Sequence, residues 1–197
     1  MARFVVIRAP GPGWDPDRRT RAQAGWDPHA AFVDALVDER FVSFGGPTGD
    51  EQKVFLVVDA PDETTVRARL ALDPWEADGL LQTLAVEPWT ILLGADERVT
   101  GARNQSLYLV GYGPGPHWDD RRRRREQPGW NAHGAFMDGL TEQGRVVVGG
   151  PIDERRALVV TQFDDLATLH RQLAADPWHD GVLTIEYAEP WMLWLRP

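Results

Sequence analysis

The chain has 197 residues and no cysteine, and its 30 acidic against 21 basic residues give a formal charge of −9. Nine tryptophans and seven phenylalanines supply enough apolar area to exclude disorder as the main state. The lack of cysteine excludes a disulfide scaffold, the lack of a long apolar run excludes a membrane span, and the acidic balance argues against nucleic acid as a partner. No secretory signal is visible, so the sequence predicts a cytoplasmic protein with no membrane partner.

Apolar runs and amphipathic stretches alternate along the chain in an order that occurs twice. In the first half, the predicted elements are a strand over Ala2–Arg8, a helix over Pro28–Glu39, strands over Phe41–Phe44 and Lys53–Val58, a helix over Asp62–Leu72 and a strand over Leu80–Leu93. In the second half, the corresponding elements are Ser106–Tyr112, Ala132–Gln143, Arg145–Val148, Ala157–Thr161, Asp164–Ala174 and Val182–Leu195. The alternative for the two final strands is a break at Pro88 and at Pro190. This order, βαββαβ, predicts a ferredoxin-like unit in each half.

The second half also repeats the motifs of the first. Trp14, Trp26 and His29 recur 104 residues later as Trp118, Trp130 and His133, and Gly-Gly-Pro, Asp-Pro-Trp and Glu-Pro-Trp each occur once in either half. We therefore expect α+β units over residues 1–94 and 105–197, joined by a linker over 95–104. Packing sheet to sheet would bury the face that a lone unit leaves bare, and would give an intrachain pseudo-dimeric α+β barrel. Such a chain would be a monomeric pseudo-dimer or a homodimer.

These five motifs, in this order and twice over, resemble the YciI-like (YCII-related) family of the dimeric α+β barrel superfamily. The resemblance covers nearly the whole chain. It implies a cleft in each ferredoxin-like unit and a catalytic His/Asp pair, which falls on His29 with Asp73 and on His133 with Asp176. The tandem duplication and an Arg-rich loop depart from the family pattern and leave the substrate open.

The two histidines suit proton transfer, because imidazole both takes and gives a proton near neutral pH. A carboxylate on one ring nitrogen would fix the tautomer and strengthen the base. The alternative is that His29 and His133 only make local hydrogen bonds at the start of a helix. For Asp73 and Asp176, the alternative is an N-cap, since Asp followed by Pro often begins a helical turn. A carboxylate has enough acceptor sites for both roles.

Several residues near the histidines are candidates for lining a ligand site. They are Trp14, Trp26, Gly46 and Pro47 in the first half and Trp118, Trp130, Gly150 and Pro151 in the second. The alternative for the tryptophans is the core, and for Gly-Gly-Pro it is a tight bend or a close backbone approach. The run Arg121–Arg125 is either a solvated loop or a lid that attracts an anionic substrate.

The sequence therefore predicts a small-molecule enzyme without a cofactor, and without a metal because no metal-ligand spacing occurs. The two His/Asp dyads would move a proton on a small anionic, cyclic or unsaturated substrate. Isomerisation would follow, or elimination of a small leaving group, as the dehydrochlorinase activity of the resembled family implies. The alternative is a non-catalytic module with a duplicated pocket for a small ligand.

Overall fold

The computed structural model describes residues 1–101 and 106–196. The chain divides into two compact units, unit 1 with Met1–Pro88 and Met192–Pro197, and unit 2 with Trp89–Trp191. Each unit combines helices with one antiparallel sheet, which confirms the α+β class expected from the sequence. No helix in the described part of the chain is long and apolar enough to span a membrane.

Unit 1 contains a four-stranded sheet and three helices. In chain order the elements are β1 (Ala2–Pro10), α1 (Trp26–Asp38), β2 (Val42–Pro47), β3 (Val54–Ala60), α2 (Glu63–Leu70), the one-turn helix α3 (Pro74–Ala77) and β4 (Leu81–Pro88). The strands lie in the order β2-β3-β1-β4, as in ferredoxin-like units. Asp62 caps α2 by accepting a hydrogen bond from the backbone N–H of Thr65 at 2.7 Å.

Unit 2 has the same plan with two additions at its start. In chain order its elements are β5 (Leu93–Gly94), α4 (Asp96–Gly101), β6 (Leu107–Pro114), α5 (Trp130–Glu142), β7 (Val146–Pro151), β8 (Ala157–Gln162), α6 (Leu166–Leu173) and β9 (Leu183–Trp191). The strand order is β5-β7-β8-β6-β9. Helix α4 falls within the expected linker 95–104, of which residues 102–104 lie outside the described residues. Asp96 and Glu97 stand in its first turn, where the helix dipole favours acidic side chains.

The core of each unit lies between the sheet and its helices. In unit 1 it is formed by apolar side chains of β1, α1, β3 and α2, among them Val6, Leu36, Val58, Val66 and Leu70. In unit 2 the corresponding elements supply Val110, Leu140, Val159, Leu169 and Leu173. Spacings of three and four residues place the helical members on one face, so the helices are held against the sheet by apolar burial.

The last strand of each half breaks at or beside its proline, which is the alternative that the sequence offers to a single long strand. Strand β4 ends at Pro88 and β9 at Trp191, not at Leu93 and Leu195. Proline cannot donate to a strand ladder, so pairing stops near it. The residues that follow β4 pair with β7 in unit 2, where Leu92 N–H donates to Gly149 O at 2.9 Å.

The residues that follow β9 pair with β2 in unit 1 in the same way. Trp194 N–H donates to the carbonyl of Gly45 at 3.0 Å. This close approach explains the Gly-Gly-Pro motifs, because a Cβ at Gly46 would lie 1.9 Å from the carbonyl oxygen of Met192. At Gly150 it would lie 1.9 Å from that of Thr90. Glycine is thus required where each segment crosses the strand.

Candidate functional site

A His/Asp pair lies in unit 1, between α1 and the start of α3. His29 Nδ1 is 2.8 Å from Asp73 Oδ1, and the Asp73 side chain is fully buried. Asp73 Oδ1 also accepts the backbone N–H of Trp75 at 3.0 Å, so one carboxylate both caps the helix and holds the imidazole. An ionised carboxylate only accepts hydrogen bonds, so Nδ1 carries the proton. His29 Nε2 has no hydrogen-bond partner among the described residues and is the basic nitrogen of the neutral ring.

Unit 2 contains the matching pair. His133 Nδ1 is 2.9 Å from both oxygens of Asp176, and Asp176 Oδ1 accepts the backbone N–H of Trp178 at 2.9 Å. The side chains of His29 and His133 are 11% and 12% exposed, so each ring is enclosed but reachable. The structure thus brings each histidine together with the aspartate that the family resemblance assigns to it.

A buried tryptophan supports each imidazole. The His29 ring stacks on Trp75 with centroids 3.9 Å apart and planes 5° from parallel, and His133 stacks on Trp178 at 4.2 Å and 6°. Each indole N–H donates to a loop carbonyl just before the histidine helix, at 2.7 Å in unit 1 and 2.6 Å in unit 2. The Asp-Pro-Trp motif therefore positions the imidazole twice, once by hydrogen bonding and once by stacking.

The first strand of unit 1 sends an arginine to the dyad. Arg8 is 1% exposed, and its guanidinium contacts Asp73 Oδ2 at 2.6 Å and Glu76 Oε2 at 2.9 Å. Burial disfavours the charge on Asp73, but the hydrogen bond from His29 and the charge of Arg8 outweigh it and hold the pKa of Asp73 below its ordinary value. A register shift between Ile7 and Arg8 in the β1–β4 pairing accompanies this position, and such irregularities re-aim side chains near sites.

Unit 2 has a tyrosine at the matching strand position, and the same register shift precedes it, between Gly111 and Tyr112. Tyr112 is 7% exposed, and its hydroxyl is buried without a hydrogen-bond partner among the described residues. Burial, together with the nearby charge of Asp176, raises the pKa of Tyr112 above its ordinary value. The phenol therefore stays a neutral hydrogen-bond donor beside the dyad.

Each dyad borders a cavity within its own unit, of about 330 Å³ in unit 1 and about 510 Å³ in unit 2. Both volumes fall in the range of small-molecule sites. Of the candidate residues, the cavity in unit 1 is lined by Trp14, Trp26, His29, Gly46 and Pro47, and that in unit 2 by Trp130, His133, Gly150 and Pro151. Trp118 does not line the second cavity and packs, partly buried, against the core. The two aspartates lie behind the histidines, outside both linings.

A loop before each histidine helix presents an arginine at the cavity. A buried glutamine at its centre, Gln23 or Gln127, donates to two loop carbonyls and accepts one loop N–H, at distances between 2.7 and 3.2 Å. Arg21 and Arg125 then lie over Trp26 and Trp130, with the guanidinium carbon 5.7 and 5.9 Å from the ring centroids. Neither has an acidic partner among the described residues.

The arginine run has two roles that the sequence did not separate. Arg124 is buried, donates to the carbonyls of Asp153 and Arg156 at 2.8 and 2.9 Å, and has a pKa lowered by burial. Arg121 is exposed and pairs with Asp119. Only the last two arginines of the run, Arg124 and Arg125, line the cavity, so the run is neither wholly a solvated loop nor wholly a lid.

Sequence reasoning missed several residues of these sites. They are Arg8, Gln23 and Trp75 in unit 1 and Tyr112, Gln127 and Trp178 in unit 2. Both glutamines and both tryptophans are identical in the two halves, so the repeat carried a signal for them. No such signal marked Arg8 and Tyr112, because the two residues differ. Within residues 1–101 and 106–196, no three His, Asp or Glu side chains converge as metal ligands.

Comparisons with solved structures identify the fold type. A haem-binding protein from Thermus thermophilus matches 98% of this chain over 91% of its own, with a TM-score of 0.61 and 14% identity. A candidate chlorite dismutase matches 98% of this chain over 95% of its own, with a TM-score of 0.55 and 9% identity. A candidate monooxygenase from Lactobacillus acidophilus matches 98% of this chain over 94% of its own, with a TM-score of 0.52 and 8% identity. These neighbours are of the dimeric α+β barrel type, and at such identities the likeness establishes the fold alone.

No protein-family model matches the chain, and no curated protein matches it in sequence. The resemblance to the YciI-like family is therefore supported by the shared fold type but is not established as membership. The activity has to be argued from the two sites themselves.

Proposed function

We propose that the chain is a small-molecule enzyme in which His29 and His133, each held by a carboxylate, transfer a proton without a cofactor. The observation that carries the proposal is the pair of imidazole–carboxylate contacts, at 2.8 and 2.9 Å, each beside a cavity. A carboxylate on Nδ1 fixes the tautomer, leaves Nε2 as the base and stabilises the imidazolium that forms. A local hydrogen bond at the start of a helix does not require a buried carboxylate on the imidazole beside a cavity, and this arrangement occurs in both units.

In the proposed reaction, Nε2 removes a proton from a carbon made acidic by a neighbouring carbonyl or carboxylate. The electron pair of the broken C–H bond then shifts a double bond or expels a leaving group. In isomerisation the imidazolium returns the proton to another carbon, and in elimination it releases the proton after the leaving group departs. Acid–base help of this kind contributes about 10²–10⁴-fold to a rate.

The walls of the cavities favour an anionic substrate. Arg21 and Arg125 occupy matching positions, line the cavities and have no acidic partner among the described residues. A guanidinium is suited to bind a carboxylate with two hydrogen bonds. Trp26 and Trp130, whose rings lie 5.9 and 6.1 Å from the imidazoles, offer flat apolar faces. A small planar acid matches this combination.

The proposal extends to the organisation of the chain. The matching strand orders, dyads and loop glutamines support a tandem duplication of a YciI-like unit, with halves over residues 1–94 and 105–197. The same duplication would allow the two units to pair as an intrachain α+β barrel. The boundaries of the duplication are defined in the sequence and differ from those of the compact units. Residues 89–94 of the first half belong to unit 2, and Met192–Pro197 of the second half belong to unit 1.

Solvent exchange tests the proposed chemistry directly. The wild type is incubated in D₂O with β,γ-unsaturated carboxylates and unsaturated lactones, and proton NMR follows deuterium entry and product. We expect wild-type exchange or turnover, and none above background with His29→Gln and His133→Gln combined. Equal exchange by the double variant would contradict the proposal. A ligand that co-purifies unchanged and binds both proteins equally would favour the non-catalytic module.

Haem binding is a second candidate, favoured by a specific observation. An imidazole with a carboxylate on Nδ1 and no partner on Nε2 is how proteins orient a metal-binding histidine, and one fold neighbour is a haem-binding protein. The aromatic and apolar walls and Arg125 also fit a porphyrin with acidic substituents. His133 would then be the residue that holds the group, and the group would supply redox chemistry.

A haemin titration separates the two candidates. If haem is the cofactor, we expect a saturable change in its absorption spectrum that His133→Gln abolishes. A spectrum that stays that of free haemin, or that changes equally in wild type and variant, would eliminate this candidate. A change that depends on His133 would take its Nε2 away from proton transfer, and the proton-transfer proposal would then rest on His29.

A further inference from the structure

We infer that the two cavities are unequal, and that an anionic ligand binds more tightly in unit 2, with its oxygen atoms held by Arg125 and Tyr112. In unit 1 the corresponding strand position, Arg8, is already engaged by carboxylates of the protein. The inference rests on the proposed function, since it concerns the same pair of sites. Four differences between the units carry it.

The first difference is the number of hydrogen-bond partners that the carboxylate of each dyad has within the protein. In unit 1, Asp73 Oδ1 accepts from His29 and Trp75, and Oδ2 accepts from Arg8. Arg8 also contacts Glu76, whose Oε2 accepts from Thr83 at 2.9 Å. One nitrogen of Arg8, Nε, has no partner among the described residues, but two carboxylates already balance the charge. Unit 1 therefore resembles a closed, internally paired network.

The second difference is an unsatisfied donor in unit 2. Asp176 Oδ2 accepts only from His133 among the described residues, and the Tyr112 hydroxyl beside it has no partner there. Tyr112 also lines the cavity. Leaving a buried hydroxyl unpaired is costly, and such groups are rare in folded proteins. A ligand oxygen that accepts this hydrogen bond would account for the position.

The third difference is the charge on the cavity walls. The cavity in unit 1 is lined by two carboxylates, Asp34 and Glu51, which offset its arginines. Among the residues lining the cavity in unit 2, Asp138 is the only carboxylate, against Arg124 and Arg125. An anion is therefore favoured in unit 2 by the balance of charges within the wall.

The fourth difference is the accessibility of the arginine at the cavity. In unit 1 the Arg21 guanidinium contacts two indoles, with its carbon 5.7 Å from the Trp26 centroid and 5.3 Å from that of Trp194. In unit 2 Leu92 lines the cavity at the position that matches Trp194, and Arg125 contacts Trp130 alone among the described aromatic residues. Arg125 thus contacts one indole where Arg21 contacts two, and it lines the larger of the two cavities.

A fluorinated aromatic acid tests the inequality. Binding of 4-fluorobenzoate is followed by ¹⁹F NMR with the wild type, Arg125→Gln and Arg21→Gln. We expect one tight site per chain, a loss of about tenfold or more in affinity for Arg125→Gln, and a clearly smaller loss for Arg21→Gln. Arg121→Gln removes the same charge from an exposed, ion-paired position in the same loop and should leave the affinity unchanged.

Tyr112→Phe gives a second, independent measurement. We expect weaker 4-fluorobenzoate binding together with an unchanged or higher Tm, by up to about 3 °C, because the variant removes an unpaired buried hydroxyl. A purely structural tyrosine would give the opposite change in Tm and no change in affinity. Tyr108→Phe, on the same strand and in the same core cluster, is the matched control and should not alter binding.

Three results would overturn the inference. They are two equal sites per chain, equal losses for Arg21→Gln and Arg125→Gln, or no binding of 4-fluorobenzoate by the wild type. None of these results tests the proton-transfer proposal, because ¹⁹F NMR measures binding of 4-fluorobenzoate and the D₂O experiment measures proton exchange. Conversely, if unit 2 binds 4-fluorobenzoate tightly but no substrate exchanges its proton, the proposed chemistry is rejected and the inequality of the two sites stands.

Discussion

Replacing Asp73 by asparagine is expected to lower the free energy of unfolding by about 3 kcal/mol, because the change takes one of two carboxylates from the buried guanidinium of Arg8 and leaves only Glu76 as its counter-charge. Arg8 and Asp73 are 1% and 0% exposed, and their contact is 2.6 Å long. An asparagine Nδ2 placed in the position of Oδ2 would also point a donor at the donors of Arg8. Urea denaturation followed by circular dichroism measures the loss.

The matched control is the same change in unit 2. Asp176 accepts from His133 and from the Trp178 backbone but has no guanidinium partner among the described residues, so Asp176→Asn should cost less, about 1–2 kcal/mol. Equal losses for the two variants would show that the Arg8 contact contributes little. The comparison is informative because both aspartates cap a turn in the same way.

Acid should remove the advantage of Asp73 over asparagine. Folding lowers the pKa of Asp73, so the carboxylate's stabilisation is complete above the pKa of the unfolded residue, about 3.9. It is lost as the pH falls through the lower folded-state pKa. The gap in unfolding free energy between wild type and Asp73→Asn should therefore be widest at neutral pH and shrink below about pH 4. A gap independent of pH would contradict this reading of the contact.

Replacing His133 by glutamine is expected to lower kcat/KM about tenfold on a substrate found by solvent exchange, to the part that the His29 site supplies, and the double variant should lose about 10²–10⁴-fold. The single variant removes the base from the site whose arginine contacts a single indole and whose Tyr112 hydroxyl has no partner among the described residues. His29→Gln, which alters the site where Arg8 is paired internally, should cause the smaller loss. Steady-state kinetics on the two single variants measure both values.

The same kinetics decide whether the sites share the work. If each single variant loses about half of the activity and the double variant loses nearly all, the two sites are equivalent and the inequality is wrong. Circular dichroism and Tm report whether each variant is folded, because both histidines also pack on a buried indole. A folded His133→Gln protein with full activity would reject the assignment of the base.

The order of the elements and the α+β class followed from the sequence because they depend on local patterns. Short continuous apolar runs marked β1 and β3, and spacings of three and four residues marked α1. The repeat strengthened this, since each half gave an independent copy of the pattern. The prolines of the last strands marked where those strands end, at Pro88 and beside Pro190. The new pairing of the residues that follow depends on distant strands, which a local pattern does not report.

The candidate dyads were predicted from the resemblance to the YciI-like family, and the repeat supported them because both halves keep the same residue types. His29 and His133 recur in this way, as do the aspartates of the Asp-Pro-Trp motifs. The sequence left open whether Asp73 caps a helical turn or holds an imidazole, and in the structure it does both. Arg8 and Tyr112 reach the dyads because a register shift redirects one strand position, and no spacing rule anticipates such a shift.

The chain segments that cross β2 and β7 make each compact unit depend on residues from both halves of the sequence. Residues that complete the sheet region of unit 1 are encoded after those of unit 2, and residues 89–94 of the first half complete unit 2. A gene fragment cut at the middle would therefore yield two proteins that each lack a β partner, and an open strand edge invites pairing with another chain. The halves can diverge in their cavities, but they can be neither shuffled nor deleted as separate cassettes.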